Sequence, residues 1–315
     1  MQVFRGLDDA AGCRDGFVSI GNFDGVHRGH QSMIAELVQN ARRHAAPAVV
    51  FTFDPHPIAL LRPGQSPPPL STTERKIELL SQCGVDAVLV YPTDQELLQL
   101  TPREFFDRIV LKRLQARGLV EGPNFFFGHK RAGSIETLRE FCGAASIDLE
   151  IVPPVAVGDH LVSSSEIRRL ITEGEVREAG ALLGATYRVA GTVVRGAERG
   201  RTIGFPTANL EGIRTVLPRD GVYAGRALVS STGSGGSWFA AGINIGGNPT
   251  FADQERKVEV HLADYSGNLY GCRLVVELAE RLRDTVRFDG IEKLKTQLAI
   301  DIDRARALAN EISNR

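Results

Sequence analysis

The chain's 315 residues are enough for about two ordinary domains, and its 43% hydrophobic and 24% charged content is that of a globular protein. No stretch approaches the ~20 consecutive apolar residues of a membrane span, and the opening MQVFRGLDDAAGCRDG, with its early acids, does not read as a signal peptide, so the expected location is cytoplasmic. A formal net charge of −1 offers no broad basic field for nucleic acid, and the scattered Cys13, Cys83, Cys142 and Cys272 form no CxxC pair, which leaves reduced thiols rather than a zinc site or a disulfide framework.

Taken in chain order, the first half alternates short apolar runs (FVSI, AVVFTF, DAVLVY, GLVEG, LEIVPP) with helical patterns, the rhythm of βαβ units in a parallel sheet. After Gly29, the residues Ile34, Leu37, Val38 and Ala41 recur at helical spacing and form one stripe to pack on that sheet. Capping-box spacings mark helix starts at Ser71 with Glu74, at Thr101 with Glu104 and Pro102, and at Ser163 with Glu166. LLGATY then joins the halves without a flexible spacer, and the expected domains are 1–184 and 185–315.

From Tyr187 the texture becomes YRVAGTVVRG, GVYAGRALVS, SWFAAGINIG, KVEVHLADYS and CRLVVELAERL, alternating strands with glycine-rich turns, which predicts an antiparallel sandwich or barrel. SSTGSGGS reads as a loose hairpin tip and SGN as a tighter one. The last segment returns to helical period with Ile291, Leu294, Leu298 and Ile302 on one side, a helix to cover the open end or side of the barrel.

Four loops at predicted strand ends carry the chemistry of the first half. In SIGNFDGVHRGHQ, Gly21 and Gly25 permit tight turns, Gly29 clears the helix start, and His27 and His30 are placed to donate to phosphate oxygens where helix N–H groups already favour anions. Two surface histidines in an ordinary βα turn is the plainer alternative. FTFDPHPIALL stiffens His56 between Pro55 and Pro57; EGPNFFFGHKRAGS sets Asn124 and three phenylalanines beside a basic run; VSSSEIRRL offers Ser164, Ser165 and Arg168 to an anion at a helix start. No GxxxxGK[ST] occurs, so ATP binding by a P-loop is excluded.

In the second half, RGAERGRTIGFPTANL is glycine-rich yet precedes a strand. Gly196, Gly200 and Gly204 would let backbone N–H groups wrap phosphates, while Thr207 and Asn209, two apart, share a face as neutral oxygen ligands for Mg²⁺. A turn with Thr and Asn capping a strand fits the stretch equally well. Glu259 alternates with Val258 and Val260: if the valines are core it faces solvent, and if they line the other surface it is a pocket carboxylate.

Together GNFDGVHRGH, FTFDPHP, FGHKRAG and SSSEIR, followed in order by RGRTIGFPTANL, GVYAG, INIGGNPTF, VEVHLADYSGNLYG and LRDTVRFDGIEKLKTQLAIDI, closely resemble the bacterial bifunctional riboflavin kinase/FAD synthetase family over nearly the whole chain. The resemblance implies a Rossmann-like α/β nucleotidyltransferase domain followed by an antiparallel β-barrel kinase domain with a C-terminal helix. It implies riboflavin, FMN, FAD, ATP, ADP and pyrophosphate as ligands, with Mg²⁺ as cofactor. By the same resemblance His27 and His30 act on the adenylyl transfer, and Gly21, Phe23, Asp24, Gly29, Ser164, Ser165, Arg168, Gly200, Gly204 and Thr207 bind ATP or its phosphates. Pro55, His56, Pro57, Asn124 and Tyr223 contact flavin, Thr207 and Asn209 hold the metal, and Glu259 is the base toward the 5′-hydroxyl of riboflavin. Two departures stand out: Ser165 replaces a frequent threonine, and Pro123 with Asn124 replaces a glycine-plus-acid or glycine-plus-asparagine pair, which stiffens that loop. A nucleotidyltransferase for another phosphate substrate and a flavin-sensing regulator are the competing readings, and ATP-dependent conversion of riboflavin separates them. Oligomeric state leaves no readable trace in the sequence.

Overall fold

A computed structural model describes residues 1–8, 10–196, 198–230, 236–248 and 253–313. The chain divides into two compact units, Met1–Pro67 with Thr72–Ser163 and Pro68–Ser71 with Ser164–Arg315.

The first unit is built on a parallel sheet of β1 (Gln2–Phe4), β2 (Phe17–Ile20), β3 (Ala48–Asp54), β4 (Ala87–Pro92), β5 (Gly118–Glu121) and β6 (Asp148–Ile151), in the order β1-β4-β3-β2-β5-β6. All five strands expected from the sequence are present. The extra strand β1, too short to show a period, joins the edge beside β4. Helix α1 (Arg28–Arg43) buries Ile34, Leu37 and Ala41 completely and Val38 in part, as its stripe predicts. Between β3 and β4 come α2 (Pro57–Leu61) and α3 (Thr73–Gln82). The cap of α3 is Thr72, whose hydroxyl accepts from Arg75 N–H at 3.3 Å, one residue beyond the expected Ser71. The chain continues through α4 (Gln95–Gln99) and α5 (Pro102–Phe105), the latter closed by the predicted Thr101–Glu104 capping box and running on as a π-helix over Phe106–Arg113. Helix α6 (Ile135–Ala145) and the small antiparallel pair β7 (Ala156–Val157) and β8 (His160–Leu161) complete the unit.

Strands β3 and β4 lie on one side of β2 and β5 and β6 on the other, so the chain reverses between β2 and β5, where such sheets open a ligand crevice at their carboxyl ends. The two strands pair only at Phe17–Gly118 and Val18–Leu119. Beyond that point the Ile20 N–H is taken by a side chain, Glu121 Oε1, at 2.7 Å. Glu121 is 1% exposed, and burial pushes its carboxyl well above the usual carboxylate range, against the opposing effect of the Ile20 N–H bond.

The second unit opens with α7 (Ser164–Glu173) and α8 (Val176–Leu183) and continues as a closed antiparallel barrel. Its strands are β9 (Tyr187–Val194), β10 (Ala208–Glu211), β11 (Gly221–Ser230), β12 (Gly236–Asn248), β13 (Asp253–Leu262) and β14 (Arg273–Arg283), with α9 (Arg199–Thr202) in the glycine-rich stretch before β10. The order is β10-β13-β12-β11-β14-β9. Strands β11 and β12 pair as a hairpin, although 231–235 of its tip, like 249–251 of INIGGNPTF, lie outside the described residues. The SGN turn is no hairpin: it links β13 to β14, which are not neighbours in the barrel.

Val258, Val260, Leu262, Ile243, Ile245 and Tyr223 fill the barrel, each at most 5% exposed. Residues that alternate with them face outward, and helix α10 (Ile291–Ser313) lies over that outer side. A Cβ on Gly242 would come within 2.8 Å of Ile302 Cδ1, so the glycine admits the helix, and Ala224 packs with Ala305 and Leu308. The covering stripe is Leu294, the half-buried Leu298, Ile302, Ala305 and Leu308; Ile291, predicted in it, is the first helical residue and stays 49% exposed.

Candidate active sites

After β2 the chain makes a strained turn. Phe23, Gly25 and Val26 have φ of 46°, 77° and 42°, a left-handed run that costs a β-branched residue such as Val26 most. Burial of Phe23 and Val26, both at most 1% exposed, and a hydrogen bond from Gln31 Nε2 to Val26 O at 2.8 Å hold the strained turn. His27 follows at the N-cap of α1, its Nδ1 accepting from His30 N–H at 3.3 Å. A neutral imidazole that accepts at Nδ1 carries its proton on Nε2, so His27 offers an N–H donor there. Its ring stacks on His30, centroids 3.6 Å apart, and a Cβ at Gly29 would meet the same ring at 3.3 Å, so the glycine makes room for the imidazole. Gly21 does likewise for the Phe23 ring at 3.3 Å.

Burial, and then the neighbouring His27 and Lys76, hold His30 well below the ordinary histidine range, so it is neutral at pH 7. Its Nδ1 is buried and has no hydrogen-bond partner among the described residues. Asp24 is 5% exposed in the same turn. Sequence reasoning missed Lys76, which is 7% exposed and donates from Nζ to Thr52 Oγ1 at 3.3 Å, while that hydroxyl donates to Asn22 O at 3.1 Å. Burial lowers the lysine's pKa against the opposing pull of Asp24 and Asp54. The missed signal was a cation one helical turn before the fully buried Leu80, on the face of α3 that enters the core.

The next predicted loop repeats the capping device: His56 Nδ1 accepts from Ile58 N–H at 3.1 Å, with Pro57 the first residue of α2 and the Asp54–Pro55 peptide cis. Asn124 is exposed. Of the three phenylalanines beside it, Phe127 is core, Phe125 stacks on it, and Phe126, 45% exposed, lies 4.7 Å from the Arg131 guanidinium. Ser164 and Ser165 open α7, and Arg168 donates to Pro68 O at 3.1 Å and to Ser164 O at 3.2 Å.

On the barrel, Asn209, Glu259 and Asn244 lie side by side on β10, β13 and β12 and share the outer face, with Asn244 Nδ2 3.5 Å from Glu259 Oε2. The valines flanking Glu259 are core, yet the glutamate does not face open solvent: α10, the 198–207 loop and the segment after β14 roof that face into a pocket. Thr207, Asn244, Glu259, His261, Arg283 and Asp301 are among its lining residues. A Cβ at Gly196 would strike the Asn209 amide at 2.2 Å and one at Gly200 would strike Phe205 O at 2.2 Å, so these glycines seat the Asn209 side chain and close the turn. Gly204 supplies a left-handed residue, φ 89°. Tyr223 lies on the opposite, inward face of β11, fully buried, with its hydroxyl donating to Arg219 O.

Sequence reasoning also passed over Asn244, His261 and the Arg283–Asp301 pair, 2.7 Å apart with Asp301 only 3% exposed. The legible signal was Asp301 on the apolar stripe of α10, between Leu298 and Ile302.

Comparison with known proteins matches both halves of the chain. The FAD synthetase family model matches residues 11–166 and the riboflavin kinase model residues 183–309. The bifunctional riboflavin kinase/FMN adenylyltransferase of Escherichia coli (strain K12) is 35% identical over 97% of both chains, and that of Pseudomonas fluorescens is 37% identical over 100% of both. A crystal structure from Streptococcus pneumoniae, of a protein named a macrolide-efflux protein, superposes with a TM-score of 0.84 at 32% identity, covering 97% of this chain and 99% of that one. Among the described residues of the present chain, no helix is long and apolar enough to cross a membrane.

Proposed function

This chain belongs to the bifunctional riboflavin kinase/FMN adenylyltransferase family, and on that premise we propose which residues carry its two reactions. The protein phosphorylates riboflavin to FMN with ATP and adenylylates FMN to FAD. We assign the adenylyl transfer to residues 1–184 and the kinase to 185–315; the family models cover 11–166 and 183–309, while the compact units divide at Ser163–Ser164 and group α7 and α8 with the barrel. Use of ATP in both steps supports a cytoplasmic location.

In the adenylyl transfer the FMN phosphate attacks the α-phosphorus of ATP and pyrophosphate leaves. No covalent enzyme intermediate is required, because the nucleophile is already an anion and the work is alignment and charge stabilisation. His27 Nε2–H and the neutral His30 donate to phosphate oxygens at the N-terminus of α1, where the helix dipole favours the charge on the leaving pyrophosphate. Asp24, Ser164, Ser165 and Arg168 serve ATP, and Pro55, His56, Pro57 and Asn124 form flavin-facing loops. The stacked imidazole pair at a helix start is the observation that carries this half.

In the kinase half, Glu259 accepts the proton of the riboflavin 5′-hydroxyl as it attacks the γ-phosphorus of ATP and ADP leaves, a contribution of roughly 10²- to 10⁴-fold for a general base. Thr207 and Asn209 carry hard, neutral oxygens, a set that suits Mg²⁺ when the triphosphate supplies the negative charge. Bound there, the ion would neutralise charge on the phosphates. The carrying observation is the row Asn209–Glu259–Asn244 on one outer face, of which Glu259 and Asn244 line the roofed pocket together with Thr207.

Chromatography of products from riboflavin, ATP and Mg²⁺ tests the assignment. His27→Ala should accumulate FMN with little FAD, whereas Asn209→Ala should fail on riboflavin yet still convert added FMN to FAD. If either variant, still folded, loses both reactions, the two-site account is wrong.

A further inference from the structure

His261 stands two residues after Glu259 on β13 and shares its outward face, while Val260 between them is core. Its Nδ1 lies 2.8 Å from Pro206 O, and a carbonyl only accepts, so Nδ1 carries the proton and donates. Its ring also lies 5.3 Å from the Phe205 ring at 60°. The imidazole therefore grips two consecutive residues of the turn that leads into Thr207. That turn is closed on its other side by Phe205 N–H donating to Gly200 O at 2.8 Å.

We propose that His261 is a positioning residue of the kinase, fixing the Pro206–Thr207 peptide so that the nucleotide turn is held at a set distance from Glu259 on the same strand. The inference rests on the reading that the turn before β10 binds the ATP phosphates. Its physical basis is peptide planarity: once the Pro206 carbonyl is held by the imidazole, the Thr207 N–H in the same plane must point the opposite way, and the Thr207 side chain is oriented with it. Pro206 has no N–H and a fixed φ, so the carbonyl is that residue's only backbone handle. Burial lowers the imidazole's pKa, which keeps the ring neutral at pH 7 and leaves the single N–H committed to Pro206. In register with His261 on β12 stands Gly242, with Ile302 of α10 against it, so the strand beneath the imidazole is clamped from above.

Two substitutions separate the hydrogen bond from ring packing. Asparagine places an amide nitrogen about where Nδ1 stands and keeps the donor, whereas phenylalanine keeps a ring against Phe205 and loses the donor. ADP binding to the full chain, measured by calorimetry with Mg²⁺ and without turnover, is the primary readout, and the kinase KM for ATP is the second. For His261→Phe the ADP dissociation constant and the KM should rise about 3- to 10-fold, the scale of one lost neutral hydrogen bond, with a smaller change in kcat. His261→Asn should stay within about 2-fold of the parent, and FAD formation from FMN should be unchanged in both. Equal affinity in His261→Phe and the parent, or equal weakening in both variants, overturns the proposal; should the phenylalanine variant not fold, His261→Ala against His261→Asn reads the same difference. Asn209→Ala run in parallel tests the underlying reading: if it too binds ADP normally, the turn is not the nucleotide site.

Discussion

Gly200→Ala sets two magnitudes against each other. Gly200 lies in the short helix α9, and replacing an ordinary helical glycine by alanine stabilises by about 0.5–1 kcal/mol. Here, however, the added Cβ would stand 2.2 Å from the Phe205 carbonyl oxygen, which is backbone and tied by the Phe205 N–H to Gly200 O bond of 2.8 Å. Bringing that pair out to an ordinary contact needs a movement of about 1 Å, an overpacking that costs about 1–3 kcal/mol and exceeds the helical gain. Because Thr207 Oγ1 is only 3.5 Å from the same Cβ position, the displacement falls on the turn we propose to bind the nucleotide, where a misplacement of this size can cost about 10²-fold in rate. The matched control is Gly143→Ala on α6, where nothing lies within 4 Å and the propensity term acts alone. Urea denaturation and separate kinase and adenylyl-transfer assays should show Gly143→Ala neutral to stabilised with both activities kept, and Gly200→Ala impaired in the kinase only. A Gly200→Ala protein with parental kinase KM and raised stability would refute the steric reasoning.

Glu121→Leu should destabilise by about 1–3 kcal/mol by leaving the Ile20 N–H buried without an acceptor, while Glu121→Gln keeps the acceptor. Because the folded pKa of Glu121 is raised, its contribution is full below the unfolded value near 4.5 and is lost as pH rises toward the folded value; urea midpoints of parent minus Glu121→Gln should therefore fall with pH across that window, and a flat difference would contradict it. Arg283→Met should cost about 3–5 kcal/mol by stranding the buried Asp301 carboxylate, with much of the loss recovered in Arg283→Met/Asp301→Leu, as measured by denaturant unfolding; a single variant no worse than the double would sink the idea. In ¹⁵N NMR the His30 ring should stay neutral down through pH 6.5, and a midpoint at 6.5 would show that the stacked pair is not desolvated as the structure has it.

The sequence announced what depends on period and on local turn chemistry. Ile34, Leu37 and Ala41 are buried because a helix of 3.6 residues per turn leaves them no other face, and the Thr101–Glu104 box is a contact three residues long. Where the outcome depended on distant partners, pattern reasoning stopped short. Alternation at Val258–Glu259–Val260 said that the glutamate opposes the valines, but the roof of α10 and of the 198–207 loop arrives from elsewhere in the chain and turns an outer barrel surface into a pocket. Lys76, Glu121 and Asp301 were overlooked for the same reason: a charged residue on an apolar stripe is informative only when its partner, here Thr52, Ile20 N–H or Arg283, can be placed beside it.

The two sites also solve one problem by opposite means. On the proposed assignment, the positive potential around His27 and His30 comes from groups built into the unit: a helix start, imidazole N–H donors and the buried Lys76 beside His30. On the barrel, Thr207 and Asn209 are neutral and Glu259 adds negative charge, so on the proposed assignment the charge of a triphosphate would be offset by a divalent cation arriving with ATP. Chelation should therefore divide the activities by degree. Titration of EDTA against ATP and Mg²⁺, with FMN and FAD followed separately, should suppress FMN formation first and most steeply, and a protein whose kinase persisted at metal levels that silence adenylyl transfer would show that the charge argument has been assigned to the wrong unit.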